Sequence, residues 1–187
     1  MSRTVGALLL LLQIVPGSVL AQGAPTSDYK VEAFGSLGWG ALSRFDDSTP
    51  FGSGTSIGGG IGFRPLNSLG FDLDVHGMRG LKESVKSAIV VSASATHDLS
   101  TSYRARPYVL GGIGMLRTNN RASTYFVRQF VTGFTDVGWG LGVGLGARVF
   151  VTPTVSLRPE ARYINALWNS TENLSETRAS IAVGYHW

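Results

Sequence analysis

Asp72, Asp74 and His76 are metal-type side chains spaced two apart, which places all three on one face of a β-strand. Alternate residues of a strand lie roughly 6.5–7 Å apart, so the three do not converge on one ion. A hydrogen-bonded network is the better reading, and no metal site is expected. Nucleophilic catalysis needs a nucleophile, a base and an orienting acid within reach of one another. The chain has three histidines, His76, His97 and His186, and none lies in a recognisable serine–histidine motif. The glycines of Gly138–Gly146 recur at every second residue and do not supply the G-x-G-x-x-G of a nucleotide loop. No catalytic, cofactor or metal residue is therefore assigned, and the chain is not expected to be an enzyme. A further set of charges, Lys30, Glu32, Arg64, Asp72, Asp74, Arg148, Arg158, Glu160, Arg162 and Arg178, falls on the row opposite the large apolar residues. Buried charges are costly unless paired, so these predict an interior ion-pair network, either a solid polar core or the lining of a narrow gated pore.

The elements that would hold this network are β-strands. From Val137 to Phe150 the chain reads VGWGLGVGLGARVF, with large apolar residues alternating with glycine until Arg148. Glycine weakens a strand interior, so a whole row of it implies a sheet curled tightly enough to leave its concave side little room. If the convex side faces lipid, Trp139, Leu141, Val143 and Leu145 need no protein partner, which is the pattern of a small transmembrane β-barrel. Similar segments recur at about 29–42, 55–64, 71–76, 89–96, 104–116, 155–163 and 179–187. They predict an all-β, closed antiparallel up-and-down barrel of about eight strands, the smallest count at which a membrane barrel closes.

Short turns at 65–68, 98–100 and 152–154 alternate with longer connections at 43–54, 79–86, 117–135 and 165–176. This asymmetry is expected when every short turn is periplasmic. Aromatic residues follow it: Tyr29, Phe63, Phe71, Tyr185 and Trp187 fall near the short-turn end, and Trp39, Trp139 and Tyr163 near the other, predicting two membrane belts. In the longest connection, Arg117, Arg121, Tyr125, Phe126 and Arg128 form a candidate surface-recognition loop. Exposed arginine with aromatics suits anionic sugars or lipid phosphates. The alternative is a loop folded over the barrel mouth that buries its own aromatics.

The composition agrees with a membrane barrel. There are 25 glycines and only 15% charged residues, far from the soluble average of about 25% charge. The formal charge of +4 comes with no basic stripe or helix, so nucleic acid is not an expected partner. Arg3, the short apolar run Val5–Val15 and the small residues before Gln22 predict a cleaved signal peptide over 1–21, leaving 22–187 as one barrel domain. Cysteine is absent, which excludes disulfides and an acylated N-terminal cysteine.

Several motifs carry a family resemblance. They are Val31-Glu32-Ala33-Phe34-Gly35, Arg106-Pro107-Tyr108 leading into Gly111-Gly112-Ile113-Gly114, Gly138-Trp139-Gly140-Leu141-Gly142, and Leu157-Arg158-Pro159-Glu160-Ala161-Arg162-Tyr163. With the ending Ile181, Val183, Tyr185 and Trp187, the chain resembles the small outer-membrane β-barrel family that includes the barrel domain of outer membrane protein A and its opacity-type relatives. The resemblance implies the outer membrane of a diderm bacterium and recognition of the segment ending at Trp187 by the barrel-assembly machinery. Outer-membrane lipid and lipopolysaccharide are then the expected surroundings, and a monomer the expected state. One barrel serves many functions in such a family. The expected role is structural or surface recognition through the loops, with a small gated pore or a lipid-modifying enzyme as alternatives.

Overall fold

A computed structural model describes residues 29–44, 50–80, 85–101, 104–120, 135–168 and 174–187. The signal peptide expected over 1–21 lies outside the described residues. Among the described residues eight strands follow one another: β1 (Val31–Arg44), β2 (Pro50–Phe63), β3 (Leu69–Arg79), β4 (Val85–Asp98), β5 (Ala105–Asn120), β6 (Thr135–Phe150), β7 (Val155–Trp168) and β8 (Leu174–His186). Each pairs antiparallel with the next, and β8 returns to β1 through an uninterrupted register from Glu32↔His186 to Arg44↔Leu174. The barrel is closed and has no free edge. Among the described residues no helix is long and apolar enough to cross a membrane.

Along β6 the glycine alternation becomes a two-sided wall. Trp139, Leu141, Val143 and Leu145 project outward and are 45–60% exposed, while Gly138, Gly140 and Gly142 are buried. The inner glycines make room for particular neighbours. A Cβ on Gly142 would lie 3.1 Å from Ile164, and one on Gly146 would lie 2.6 Å from the Tyr108 hydroxyl. Tyr108 of β5 therefore lies across the bare face of β6, and its close approach, with that of the Pro159 carbonyl oxygen, explains the glycine at 146.

The strands are longer than the apolar pattern indicates. β1 extends to Arg44, β5 to Asn120 and β7 to Trp168, while β2 begins at Pro50 and β8 at Leu174. The expected connections 43–54 and 165–176 shrink to 45–49 and 169–173, and only 121–134 is much longer than the turns 64–68, 99–104 and 151–154. The physical reason is that hydrogen-bonded ladders continue past the apolar band, where outward residues need no longer be hydrophobic and the period of two fades. All three register irregularities, at Leu42/Ser43, Val85/Ser87 and Trp139/Gly140, lie at this loop end. Bulges concentrate at barrel rims, where they bend the wall and release the chain into loops.

Candidate functional site

The barrel interior is filled in layers. At the turn end, Tyr29, Phe150 and His186 stack with ring centroids 4.0 Å (Tyr29–His186), 5.2 Å (Phe150–His186) and 5.9 Å (Tyr29–Phe150) apart. The Arg106 guanidinium lies 4.9 Å from the Phe150 ring centroid. Above them Glu32 of β1 and Asp72 of β3 are surrounded by arginines. Arg158 Nη1 is 3.1 Å from Glu32 Oε1, Arg158 Nη2 is 2.9 Å from Asp72 Oδ2, and Arg64 Nη2 is 2.9 Å from Asp72 Oδ1. Arg148 pairs with Asp98 and lies 4.3 Å from the Tyr108 ring centroid.

The next layer joins β3, β4, β7 and β8. Arg162 reaches Asp74 Oδ2 at 2.6 Å and Glu160 Oε1 at 3.1 Å, and Arg178 lies 3.4 Å from the same Glu160 oxygen. Tyr108 donates its hydroxyl hydrogen to Glu160 Oε2 at 2.7 Å, and Ser92 donates to Asp74. Higher still, His76 Nε2 lies 2.8 Å from Glu176 Oε1, with Nδ1 3.4 Å from Asp74 Oδ1. The loop end is closed by an apolar cluster that includes Leu42, Met78, Val90, Leu116, Ile164 and Leu174.

Among the described residues, six interior carboxylates (Glu32, Asp72, Asp74, Asp98, Glu160, Glu176) face six interior guanidiniums (Arg64, Arg106, Arg148, Arg158, Arg162, Arg178). Arg64, Arg148, Arg158, Arg162 and Arg178 each lie within ion-pair distance of an interior carboxylate, whereas the Arg106 guanidinium lies over the Phe150 ring. The void between Phe34, Asp74, Arg158, Glu160 and Arg178 is about 10 Å³, room for no more than a single water molecule.

The placement of individual residues differs from the sequence expectation at several points. Glu32, Arg64, Asp72, Asp74, Arg148, Arg158, Glu160, Arg162 and Arg178 share the interior. Lys30 does not: it precedes β1 and is exposed, because the inward parity ends where the strand ends. Tyr29 is likewise not a belt residue, since its ring turns inward onto His186. Trp39, Phe63, Phe71, Trp139, Tyr185 and Trp187 project outward and are exposed, and Tyr163 is half-buried on the same face. Arg117 is not in a loop but on β5, facing outward and exposed. Arg121, Tyr125, Phe126 and Arg128 lie outside the described residues.

Asp98 and Glu176, read in the sequence as turn and loop residues, are buried partners of Arg148 and His76. The pairing of His186 Nε2 with Ser156 Oγ at 2.8 Å was also hidden, because the two residues meet only when β7 and β8 pair. This couple has the first two elements of a catalytic triad but not the third. His186 Nδ1 has no hydrogen-bond partner among the described residues, and Ser156 is fully buried. An acyl-transfer site requires an oriented base and an accessible nucleophile. Among the described residues no group of three His, Asp or Glu side chains is arranged to hold a metal ion.

A closed barrel of eight strands, apolar outside and ionic within, is the architecture of a small integral membrane protein of the outer-membrane type. The chain belongs to the outer membrane protein beta-barrel domain family, whose profile it matches over residues 7–186. Its location is the bacterial outer membrane. The fold is similar to that of Neisserial surface protein A (22% identity, TM-score 0.69, covering 84% of this chain and 97% of that one). It is also similar to the N-terminal β-barrel domain of Pseudomonas aeruginosa OprF (15% identity, TM-score 0.59, 89% and 100% covered). A third similar structure is Ail, the attachment invasion locus protein of Yersinia pestis, solved with the heparin analogue sucrose octasulfate (15% identity, TM-score 0.55, 84% and 99% covered). A comparison with curated proteins found no match.

Proposed function

We propose that this protein is a non-enzymatic outer-membrane scaffold that presents its loop-end segments for surface recognition of anionic glycans. The observation that supports the reading is the filled interior of the described residues: charged side chains lie between an apolar cluster at the loop end and an aromatic stack at the turn end. A barrel so closed offers its surface, and loops on a rigid scaffold are where such folds vary. The longest connection, 121–134, contains Arg121 and Arg128 with Tyr125 and Phe126. Guanidinium groups bind sulfate and phosphate through paired hydrogen bonds. The similar protein Ail has been solved with a sulfated heparin analogue, which supports testing this ligand class here.

The test is binding of the refolded protein in neutral nanodiscs to immobilised heparin across a salt series. The expected result is salt-sensitive retention that falls about tenfold in R121Q/R128Q, the size of a lost charge-assisted contact. Equal retention of wild type and variant would overturn the loop reading.

A further inference from the structure

The interior charges do not pair evenly. Glu32, Asp72, Asp74, Asp98 and Glu160 share Arg64, Arg148, Arg158, Arg162 and Arg178, and Glu176 is held by His76. Arg106 is only 7% exposed, yet among the described residues no carboxylate lies within ion-pair distance of its guanidinium, and its Nε has no hydrogen-bond partner. Asp98, opposite Tyr108 on β4, is the acid closest to it in register, and that carboxylate is taken by Arg148. Burying a lone cation is costly, so this guanidinium calls for an anion that the fold itself does not supply.

Arg106 lies at the short-turn end, which faces the periplasm in barrels of this kind; β5 begins only one residue earlier, at Ala105. A second guanidinium converges on the same place. Arg106 sits over the Phe150 ring at 4.9 Å, while Arg104 grips the backbone of that residue: its Nε donates to Phe150 O at 2.6 Å and its Nη2 to Val151 O at 2.9 Å. Arg104 is half-buried at the rim, and its Cα lies roughly 7 Å from that of Arg106, as for alternate residues of an extended chain.

We propose that Arg104 and Arg106 form a phosphate site at the turn-end mouth of the barrel. Arg106 supplies the uncompensated charge, and Arg104, fixed by the two carbonyls, adds a second positive group at the rim. A phosphate group offers three strong acceptor oxygens in a tetrahedral arrangement, which suits guanidiniums approaching from two directions better than a planar carboxylate does. Free phosphate and the headgroup of an inner-leaflet phospholipid bring the same chemistry, and the test separates them. The site lies at the end opposite the loops and does not depend on the glycan reading above.

The test titrates the full mature protein, in maltoside micelles that carry no phosphate, with inorganic phosphate by isothermal calorimetry at constant ionic strength. Wild type is expected to bind one phosphate with a Kd of about 1 mM or tighter, the affinity that two charge-assisted hydrogen bonds supply. R106Q should weaken binding about tenfold, R106K less, and R117Q, which removes an exposed arginine at the loop end, not at all. Acetate should bind more weakly than phosphate. Phosphatidic acid added to the micelles abolishes the phosphate heat if the occupant is a lipid headgroup and leaves it unchanged if it is free phosphate; both results support the site. Heat-modifiable electrophoretic mobility checks that each variant is folded. R106M keeps a contact with Phe150 but drops the charge, so in phosphate-free urea it should unfold at no lower concentration than wild type. No saturable binding in wild type, equal binding by R106Q, acetate binding as tightly as phosphate, or marked destabilisation of R106M without phosphate would each overturn the proposal.

Discussion

Arg158 of β7 joins two carboxylates of different strands, with Nη1 3.1 Å from Glu32 Oε1 on β1 and Nη2 2.9 Å from Asp72 Oδ2 on β3. Its guanidinium also lies 4.3 Å from the Phe34 ring centroid. One side chain thus ties together strands that are not neighbours in the wall. Replacing it by methionine fills similar space but leaves two buried carboxylates short of their cation. Breaking a buried pair in this way costs about 3–5 kcal/mol. R158M should therefore unfold at markedly lower urea concentration than wild type in lipid vesicles, followed by loss of heat-modifiable mobility. R158M/E32Q should recover part of the loss; an R158M curve superimposed on wild type would show that the network contributes little.

Glycine positions in the wall divide into two kinds. At Gly35, outward on β1, an added Cβ meets nothing within 4 Å, whereas at Gly146 it meets the Tyr108 hydroxyl. G35A should be neutral or slightly stabilising, because glycine in a strand costs roughly 0.5–1 kcal/mol relative to alanine. G146A should displace Tyr108 from Glu160 and cost about 1–3 kcal/mol, the usual range for overpacking. Unfolding of the two variants under one set of conditions separates them. Comparable destabilisation would mean that the inner row is glycine for some reason other than the space taken by Tyr108 and the Pro159 carbonyl oxygen.

The same contrast explains how much of the fold could be read in advance. Alternation alone placed Trp139, Leu141 and Val143 on the lipid face and Asp72, Asp74 and Arg162 inside, because the pleat sends neighbours to opposite sides. It went wrong where a strand ends or outruns the membrane. Strand parity does not hold for Lys30 and Tyr29, which precede Val31, where β1 begins. Asp98 and Glu176 have polar neighbours in the sequence that indicate a turn and a loop, although both are buried. The apolar closure of Leu42, Met78, Leu116 and Leu174 is hard to read for the opposite reason: an inward row expected to be polar gives no cue that its last position is hydrophobic. The Ser156–His186 contact depends on pairing between strands and has no signature along the chain.

The His76–Glu176 contact links β3 to β8 across two intervening strands, just beneath the apolar closure. Glu176 Oε1 has the imidazole as its close partner, so H76L strands a buried carboxylate. H76L and E176L should each destabilise the barrel, while H76L/E176L should cost less than the two combined. Coupling of about 1–3 kcal/mol is typical of contacting residues in one network. A double-mutant cycle by urea unfolding measures it. Additive effects would mean that the two groups do not act as a strut.

The closure at both ends bears on conduction through the barrel. Removing Arg162 and Arg178 together would enlarge the small void beside Asp74 and Glu160 and admit water to the middle of the lumen. That water would still be sealed above by Leu42, Leu116 and Ile164 and below by Tyr29, Phe150 and His186. In planar bilayers, wild type and R162A/R178A should therefore both lack discrete conductance steps. Adding L116G and I164G to the double variant should open only the upper closure, and current should still require truncation of Phe150. An apolar constriction blocks ions by excluding water even where charges line the rest of the path. Discrete steps in wild type would show instead that the layers move apart, and the barrel would then be a gated pore rather than a filled scaffold.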